Sequence, residues 1–235
     1  RVGGLPVARR LPWQYKAAFS PYDVVEEYLR PARIVENGKI VVREALSEPV
    51  LVDFSETGQL EAFNTDGLRS LTETLDVPSM LEQTMRYPGH RDLVWALRES
   101  GLLSDEPITV AGTQVTPRDV TCRALFPLWT YEPGEADLTI MRVEGEGDLS
   151  GEPTTLTWDL YDELDPKSGW TSMARTTAFP ATIMARMIES GLVNEPGVHP
   201  PELLAGNEEV VQTMFRELQA RGITYRERVE SSVAG

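Results

Sequence analysis

"ARIVENGKIVV", residues 32–42, decides the class of fold. Two β-branched runs flank Asn37-Gly38, and that dipeptide supplies the two positive-φ residues of a type I′ turn. The stretch therefore predicts an antiparallel hairpin. A helix stands just before it. In "SPYDVVEEYL" Ser20 is the N-cap, Pro21 takes N1 and Asp23 takes N3, and Val24, Val25, Tyr28 and Leu29 form the apolar stripe.

The same alternation of types continues along the chain. "QLEAFNT" (59–65) predicts a strand. "HRDLVWALRESG" (90–101) predicts a helix that turns Leu93, Val94 and Leu97 inward and stops at Gly101. A second Thr-Pro-x-Asp start signal, at Thr116, Pro117 and Asp119, opens another helix. "DLTIMRVEG" (137–145) and "TTLTWDLYDEL" (154–164) predict strands. The latter sets Leu156, Trp158 and Leu160 on a buried face and Thr155, Thr157 and Asp159 on a wet one. Between them "EGEGDLSGEP" (144–153) reads as a solvated loop whose carboxylates would repel a phosphate.

"FPATIMARMIESG" (179–191) predicts a helix carrying Ile183, Met184, Met187 and Ile188. "NEEVVQTMFRELQARG" (207–222) predicts one capped by Asn207, with Val210, Val211, Met214, Phe215 and Leu218 inward and Gly222 as its stop. "ITYRERV" (223–229) closes as a strand. Interleaved helices and antiparallel hairpins predict one α+β domain over residues 1–235. Its sheet is mixed or antiparallel, with the helices mainly on one face.

Composition narrows the partners. With 235 residues and 41% hydrophobic content the chain can bury a sizeable core. It has no apolar run of the ~20 residues that a membrane span needs. A formal charge of −15 argues against nucleic acid, whose phosphates need a basic surface. Lysine is scarce, and so acidic a chain fits either solubility in a salt-rich organism or simply a GC-rich genome. The single cysteine, Cys122, cannot form an internal disulfide, and a cytoplasmic location is expected. The opening Arg1-Val2-Gly3-Gly4 looks like the end of a strand, so an N-terminal part is expected to be missing.

Several chemistries find no support. No G-x-G-x-x-G follows a strand, and there is no G-x-x-x-x-G-K and no G-x-S-x-G. His90 and His199 lie too far apart for a metal helix, so no metal is expected. Three uncharged or cationic clusters remain: "VGGLP" (2–6), "MRYPGH" (85–90) and "SMARTTAFPA" (172–181). In the last, Arg175, Thr176 and Thr177 lie near the start of the helix marked by Pro180, where hydroxyls, a guanidinium and a helix N-terminus would suit an anion. Each cluster also has a plainer reading. Gly3-Gly4 marks a tight turn, Arg86 makes a surface ion pair, the threonines cap a helix, and His90 is an ordinary first-turn residue.

Taken in order, "VGGLP", "YKAAFSP", "MRYPGH" and "SMARTTAFPATIMARMI" resemble the C-terminal catalytic domain of the saccharopine dehydrogenase family. The resemblance runs to about Ile223. It implies a fold like the C-terminal domain of glyceraldehyde-3-phosphate dehydrogenase-like enzymes, with a Rossmann domain absent from this chain. That domain would hold NAD or NADP, and residues 172–228 would pack back toward it. It implies hydride transfer at a carbon–nitrogen bond of a small amino-acid substrate, and a homodimer.

Carried over residue by residue, the resemblance makes Gly3, Gly4, Leu5, Phe19, Ser20, Arg86, Tyr87 and Arg175 substrate-binding. Arg86 would take the α-carboxylate. Thr176 and Thr177 would line the cofactor cleft, and His90 would be a proton acceptor near neutral pH. The chain departs from the saccharopine-reducing pattern at Val2, where Cys is usual, and at Glu82, where Arg is. It departs again at Phe19, where Trp is common, and at Ala178, where Gly is. "EAFNTDGLRSL" with "RYPGH" looks more like the lysine 6-dehydrogenase-like branch, in which Glu82 or a neighbour would receive a distal ammonium. The alternatives are a non-catalytic dimerisation or ligand-binding module, and a saccharopine reductase or carboxynorspermidine synthase-type enzyme.

Overall fold

In the computed structural model, which describes residues 1–231, Asn37 and Gly38 take φ values of 51° and 72°. The hairpin closes in the expected register, with Ala32 opposite Arg43 and Glu36 opposite Lys39. The chain gathers into two units, Gly4–Asp137, and Arg1–Gly3 with the chain from Leu138 onward. Both mix helix and strand, so the α+β class holds.

The elements begin with β1 (Val2–Pro6), whose first residues belong to the second unit. The first unit continues with α1 (Pro21–Leu29), β2 (Ala32–Glu36), β3 (Lys39–Arg43), β4 (Val50–Phe54) and β5 (Gly58–Asn64). Then come α2 (Leu71–Thr74), β6 (Ser79–Met80), β7 (Gln83–Arg86), α3 (His90–Glu99), β8 (Ile108–Val110), β9 (Thr113–Val115) and α4 (Pro117–Trp129). Strands β4, β5 and β7 pair antiparallel, as do β3, β2 and β6. Both helices start where read: Ser20 Oγ accepts from Asp23 N, Pro21 and Pro117 sit in first turns, and Thr116 is the N-cap of α4 without a side-chain hydrogen bond. Val24, Val25 and Tyr28 of α1, Val94 of α3, and Cys122, Leu125 and Trp129 of α4 close around Phe63 of β5. Full burial of one such large apolar side chain contributes ~1.5–3 kcal/mol.

The second unit is built on β10 (Asp137–Leu149), β11 (Glu152–Glu163) and β12 (Tyr225–Ser231), all antiparallel. Helices α5 (Ser172–Glu189) and α7 (Glu208–Ala220) pack on one face, with the short α6 (Pro201–Leu204) between them in sequence. Ile183 and Met187 of α5, Val210 and Leu218 of α7, Leu160 of β11 and Ile223 form its core. Asn207 caps α7 by accepting from Glu209 N and Val210 N.

Four local expectations are corrected here. The acidic stretch 144–153 is not a loop: β10 runs to Leu149 and β11 resumes at Glu152, joined by Ser150-Gly151 alone at φ 58° and 90°. Glu144, Glu146 and Asp148 are exposed and lie opposite the uncharged Thr157, Thr155 and Pro153, so the charge does not oppose pairing.

The faces of β11 are also less polar-versus-apolar than expected. Thr157 and Asp159 are buried, whereas Leu156 and Trp158 are half-buried. β11 is a middle strand, and Arg142 and Arg228 from its two neighbours cover Asp159. Helix α5 starts at Ser172, seven residues before Phe179, because Thr171 Oγ1 caps it by accepting from Ala174 N. Pro180 lies inside and removes one backbone donor. Finally, Phe215 and Ile188 are exposed, at the margins of their stripes. Phe215 leans edge-on against the Tyr225 ring at 5.5 Å.

Candidate functional site

The turn that joins β7 to α3 carries the candidate site. Gly89 takes φ 92°, a left-handed conformation that a side chain rarely adopts, and the chain reverses between Arg86 and His90. Arg86, Tyr87 and His90 are all buried, at 3%, 3% and 1% exposure, so the plain surface ion pair is ruled out for Arg86. The Arg86 guanidinium lies over the Tyr15 ring at 4.8 Å and over the Tyr28 ring at 5.7 Å. Its Nε donates to Tyr28 Oη at 2.8 Å and its Nη1 to the Met85 carbonyl at 2.9 Å. The carboxylate near it is Glu27, with Oε2 3.7 Å from Nη2, beyond hydrogen-bond reach. Of five N–H donors, two are satisfied by these partners. Burial opposes the charge, but Tyr28, Tyr15 and Glu27 outweigh it and hold the guanidinium above its ordinary pKa.

His90 behaves differently from the expectation. Nδ1 lies 3.0 Å from the Trp13 carbonyl, which can only accept, so Nδ1 carries the proton. Nε2 then accepts from Tyr28 Oη at 3.0 Å. The result is a directed chain in which Arg86 donates to Tyr28, Tyr28 to His90, and His90 to Trp13. Burial first, and the Arg86 charge second, push the His90 pKa down to about 3. The ring is therefore neutral near pH 7, and His90 is not a proton acceptor that titrates there.

A second polar chain leads away from Arg86. Thr84 donates to Glu27, Thr65 lies 2.9 Å from Thr84, and Thr65 Oγ1 lies 2.7 Å from Glu82 Oε2. With both carboxyls ionised, each threonine directs its proton to a carboxylate, and none is left to join the two hydroxyls. A proton on Glu82 completes the chain. Burial, the leading cause, raises the Glu82 pKa to about 6, and the Glu27 charge adds to it. Gly67 makes room for this carboxyl, since a Cβ there would come within 2.4 Å of it.

The other nominated residues fall in different places. Gly3 and Gly4 lie in β1 with no positive φ, so they mark no tight turn. Leu5 is wholly buried, and Tyr87 Oη donates to the Pro6 carbonyl at 3.0 Å. Phe19 and Ser20 are exposed at the start of α1, while Tyr28 lies eight residues further along, or ~12 Å at helical rise. The structure does not bring them to Arg86.

Arg175 has three of its five donors engaged, two of them by one buried carboxylate. Nη2 donates to Asp162 Oδ1 at 3.0 Å and to the Arg221 carbonyl at 3.1 Å, and Nε to Asp162 Oδ2 at 3.2 Å. Thr176 and Thr177 sit in the second turn of α5, not at its N-terminus. Their hydroxyls donate back to the Ser172 and Met173 carbonyls at 2.9 and 2.5 Å.

Comparison with known proteins decides the family. The profile of the saccharopine dehydrogenase C-terminal domain matches residues 1–223. The chain belongs to that family. Within it, this saccharopine dehydrogenase C-terminal domain is 32% identical over 122 residues to a Schizosaccharomyces pombe protein, "Saccharopine dehydrogenase [NADP(+), L-glutamate-forming]". That match covers 52% of the chain and 26% of the relative. It is 24% identical to the mitochondrial alpha-aminoadipic semialdehyde synthase of Bos taurus, over 95% of the chain and 31% of the relative. The chain thus spans about a quarter to a third of these relatives. Its fold matches apo saccharopine dehydrogenase (L-Glu forming) from Saccharomyces cerevisiae with a TM-score of 0.77 at 20% identity, covering 97% of the chain and 66% of that structure.

Most of the longer helix N-termini among the described residues are poorly suited to a dinucleotide's phosphates. Helices α1, α3, α4 and α7 each carry a carboxylate in the first turn, which repels a pyrophosphate. At α5, the buried Ser172 hydroxyl donates to the Asp162 carbonyl. Among the described residues no cluster of three or more metal-ligating side chains occurs, and no helix is long and apolar enough to cross a membrane. Motif reading missed Tyr15, Glu27, Tyr28, Thr84 and Trp13. Tyr28 was legible only as part of an apolar stripe. The clump "PWQY" (12–15) was the available signal for the aromatic wall.

Proposed function

We propose that this chain is the substrate-holding part of an NAD(P)-dependent oxidoreductase acting on a carbon–nitrogen bond of an amino acid, of saccharopine dehydrogenase or lysine 6-dehydrogenase type. The observation that carries the reading is Arg86, a buried guanidinium walled by tyrosines, with donors left over and its neighbouring carboxylate out of hydrogen-bond range. Such a group favours an incoming carboxylate, because charge-assisted contacts in a desolvated cleft are strong. Tyr28 and His90 act as positioning residues that hold the fork. The nearby Glu27, joined by Glu82 once that carboxyl loses its proton above about pH 6, supplies negative charge for the ammonium of a diamino acid. Dinucleotide chemistry belongs to a Rossmann domain outside residues 1–235, and the exposed face near Thr176 and Thr177 is assigned to that side.

The test is kcat/KM of full-length wild type, Arg86→Lys and Arg86→Ala on lysine, saccharopine and related amino acids. A sharp loss in Arg86→Ala and a partial one in Arg86→Lys are expected; unchanged kinetics in Arg86→Ala reject the reading. We also propose a homodimer, for which light scattering at micromolar concentration should return twice the subunit mass.

A further inference from the structure

We infer that the groove between α5 and α7 is a second ligand site, one that takes a short aliphatic dicarboxylate. This inference is independent of the catalytic reading above. The groove holds about 620 Å³, within the range of small-molecule sites. Its floor is Ile183, Met187 and Leu192, and its walls carry Arg186 from the last turns of α5 and Arg216 from α7. Helical spacing places them together: Ile183, Arg186 and Met187 share one face of α5, and Thr213, Arg216 and Glu217 share one face of α7.

The charges are what single the groove out. The chain has 37 acidic and 22 basic residues, so a carboxylate partner is ordinarily at hand for a surface arginine. Among the described residues the Arg186 guanidinium has no ion pair, and Arg216 donates only to Thr213 Oγ1 at 3.2 Å. Glu217 is already engaged, with Arg221 Nη1 at 2.8 Å. That bond, together with the charges of Arg221, Arg216 and Arg186, holds the Glu217 carboxyl below the usual range. Glu209 stands on the α7 side of the groove. The lining thus carries two guanidiniums, Arg186 and Arg216, and two carboxylates, Glu209 and the already bound Glu217, above an apolar floor. A ligand with a carboxylate for each of Arg186 and Arg216 and methylenes between them matches both features. The groove lies ten residues along α5 from Thr176, or ~15 Å, and so apart from the face assigned to the cofactor side.

The probe is glutarate, titrated by calorimetry into the full-length protein at ~0.15 M salt, where weak exposed contacts are screened. One glutarate is expected to bind, and to bind equally to Arg86→Ala, which separates this site from the substrate site. The double variant Arg186→Ala/Arg216→Ala should bind at least ~30-fold more weakly, and Arg216→Gln ~5- to 10-fold, as charge-assisted bonds are removed. Butyrate should bind at least ~10-fold more weakly than glutarate. The double variant should keep the wild-type kcat/KM and melting temperature, because both guanidiniums are exposed. Absence of glutarate binding to wild type overturns the proposal, and covering of the groove in the full-length protein would appear in that way. Equal binding to the double variant overturns it, as does loss in Arg86→Ala. Inorganic phosphate binding as tightly as glutarate would reduce the site to a bare anion contact and overturn the dicarboxylate assignment.

Discussion

Arg86 and Arg175 are both buried arginines, and sequence nominated both for the same task. In the second unit, Arg175 meets Asp162 through two nitrogens, the Arg221 carbonyl through one of them, and Asp165 at 3.8 Å. In the first unit, Arg86 meets a phenol, one backbone carbonyl and a carboxylate held just out of reach. Burial alone therefore does not mark a binding residue. What distinguishes the two is the partner: Arg175 hydrogen-bonds a buried carboxylate, and Arg86 does not. A fork hydrogen-bonded to a buried carboxylate holds the fold together, and one whose charge has no hydrogen-bonded carboxylate is available to a ligand.

That contrast can be broken experimentally. Arg175→Ala should destabilise the protein by about 3–5 kcal/mol, because Asp162 is left buried without its cation. Denaturant unfolding measures this, while kcat per folded molecule should hold. Arg86→Ala should lose about 2–5 kcal/mol of transition-state binding, a ~30- to 4000-fold fall in kcat/KM. If instead Arg175→Ala destroys activity at full stability, the assignment of the two forks is reversed.

Acid sharpens the comparison, because His90 titrates only in the Arg86 region. Its folded pKa of about 3 lies below the unfolded value near 6.5, so the unfolded state takes up the proton first. Stability from this group is complete above pH 6.5 and is lost as pH falls, by about 3 kcal/mol at pH 4. The excess acid sensitivity of wild type over His90→Gln should show that amount. Glu82 has the opposite sign. Its folded pKa is raised to about 6, so the native state holds the proton more tightly and stability falls as pH climbs from 4.5 to 6. Glu82→Gln should therefore gain up to about 2 kcal/mol above pH 6 and nothing below pH 4.5. A flat difference across that range would remove the proton from the Glu82–Thr65–Thr84–Glu27 chain.

How much of this was legible in sequence depended on range. Asn37-Gly38, the Ser20-Pro21 start and the Asn207 cap are short-range signals, and each element formed as read. The stretch 144–153 was misread because acidic glycine-rich composition suggests a loop, whereas strand pairing is decided by the partner across the ladder. Asp159 was misplaced for the same reason: its burial comes from Arg142 and Arg228 on neighbouring strands. At the site, Arg86 and His90 were visible as a motif, but Tyr28 lies 58 positions from Arg86 and Trp13 lies 77 from His90. Their roles depend on tertiary contact, and no local pattern records it.

The two-residue turn at Ser150-Gly151 has a consequence for how this chain tolerates change. It locks twelve residue pairs, from Leu138↔Glu163 to Leu149↔Glu152, into a single frame. One residue inserted on either side would invert every side chain beyond it, swinging Asp159 toward the helices and Leu160 away from Ile183 and Met187. A pair of residues added at the tip would lengthen the arm and leave the frame intact. Length variation at this tip should therefore come in even steps, like teeth on a rack that meshes only at every second notch.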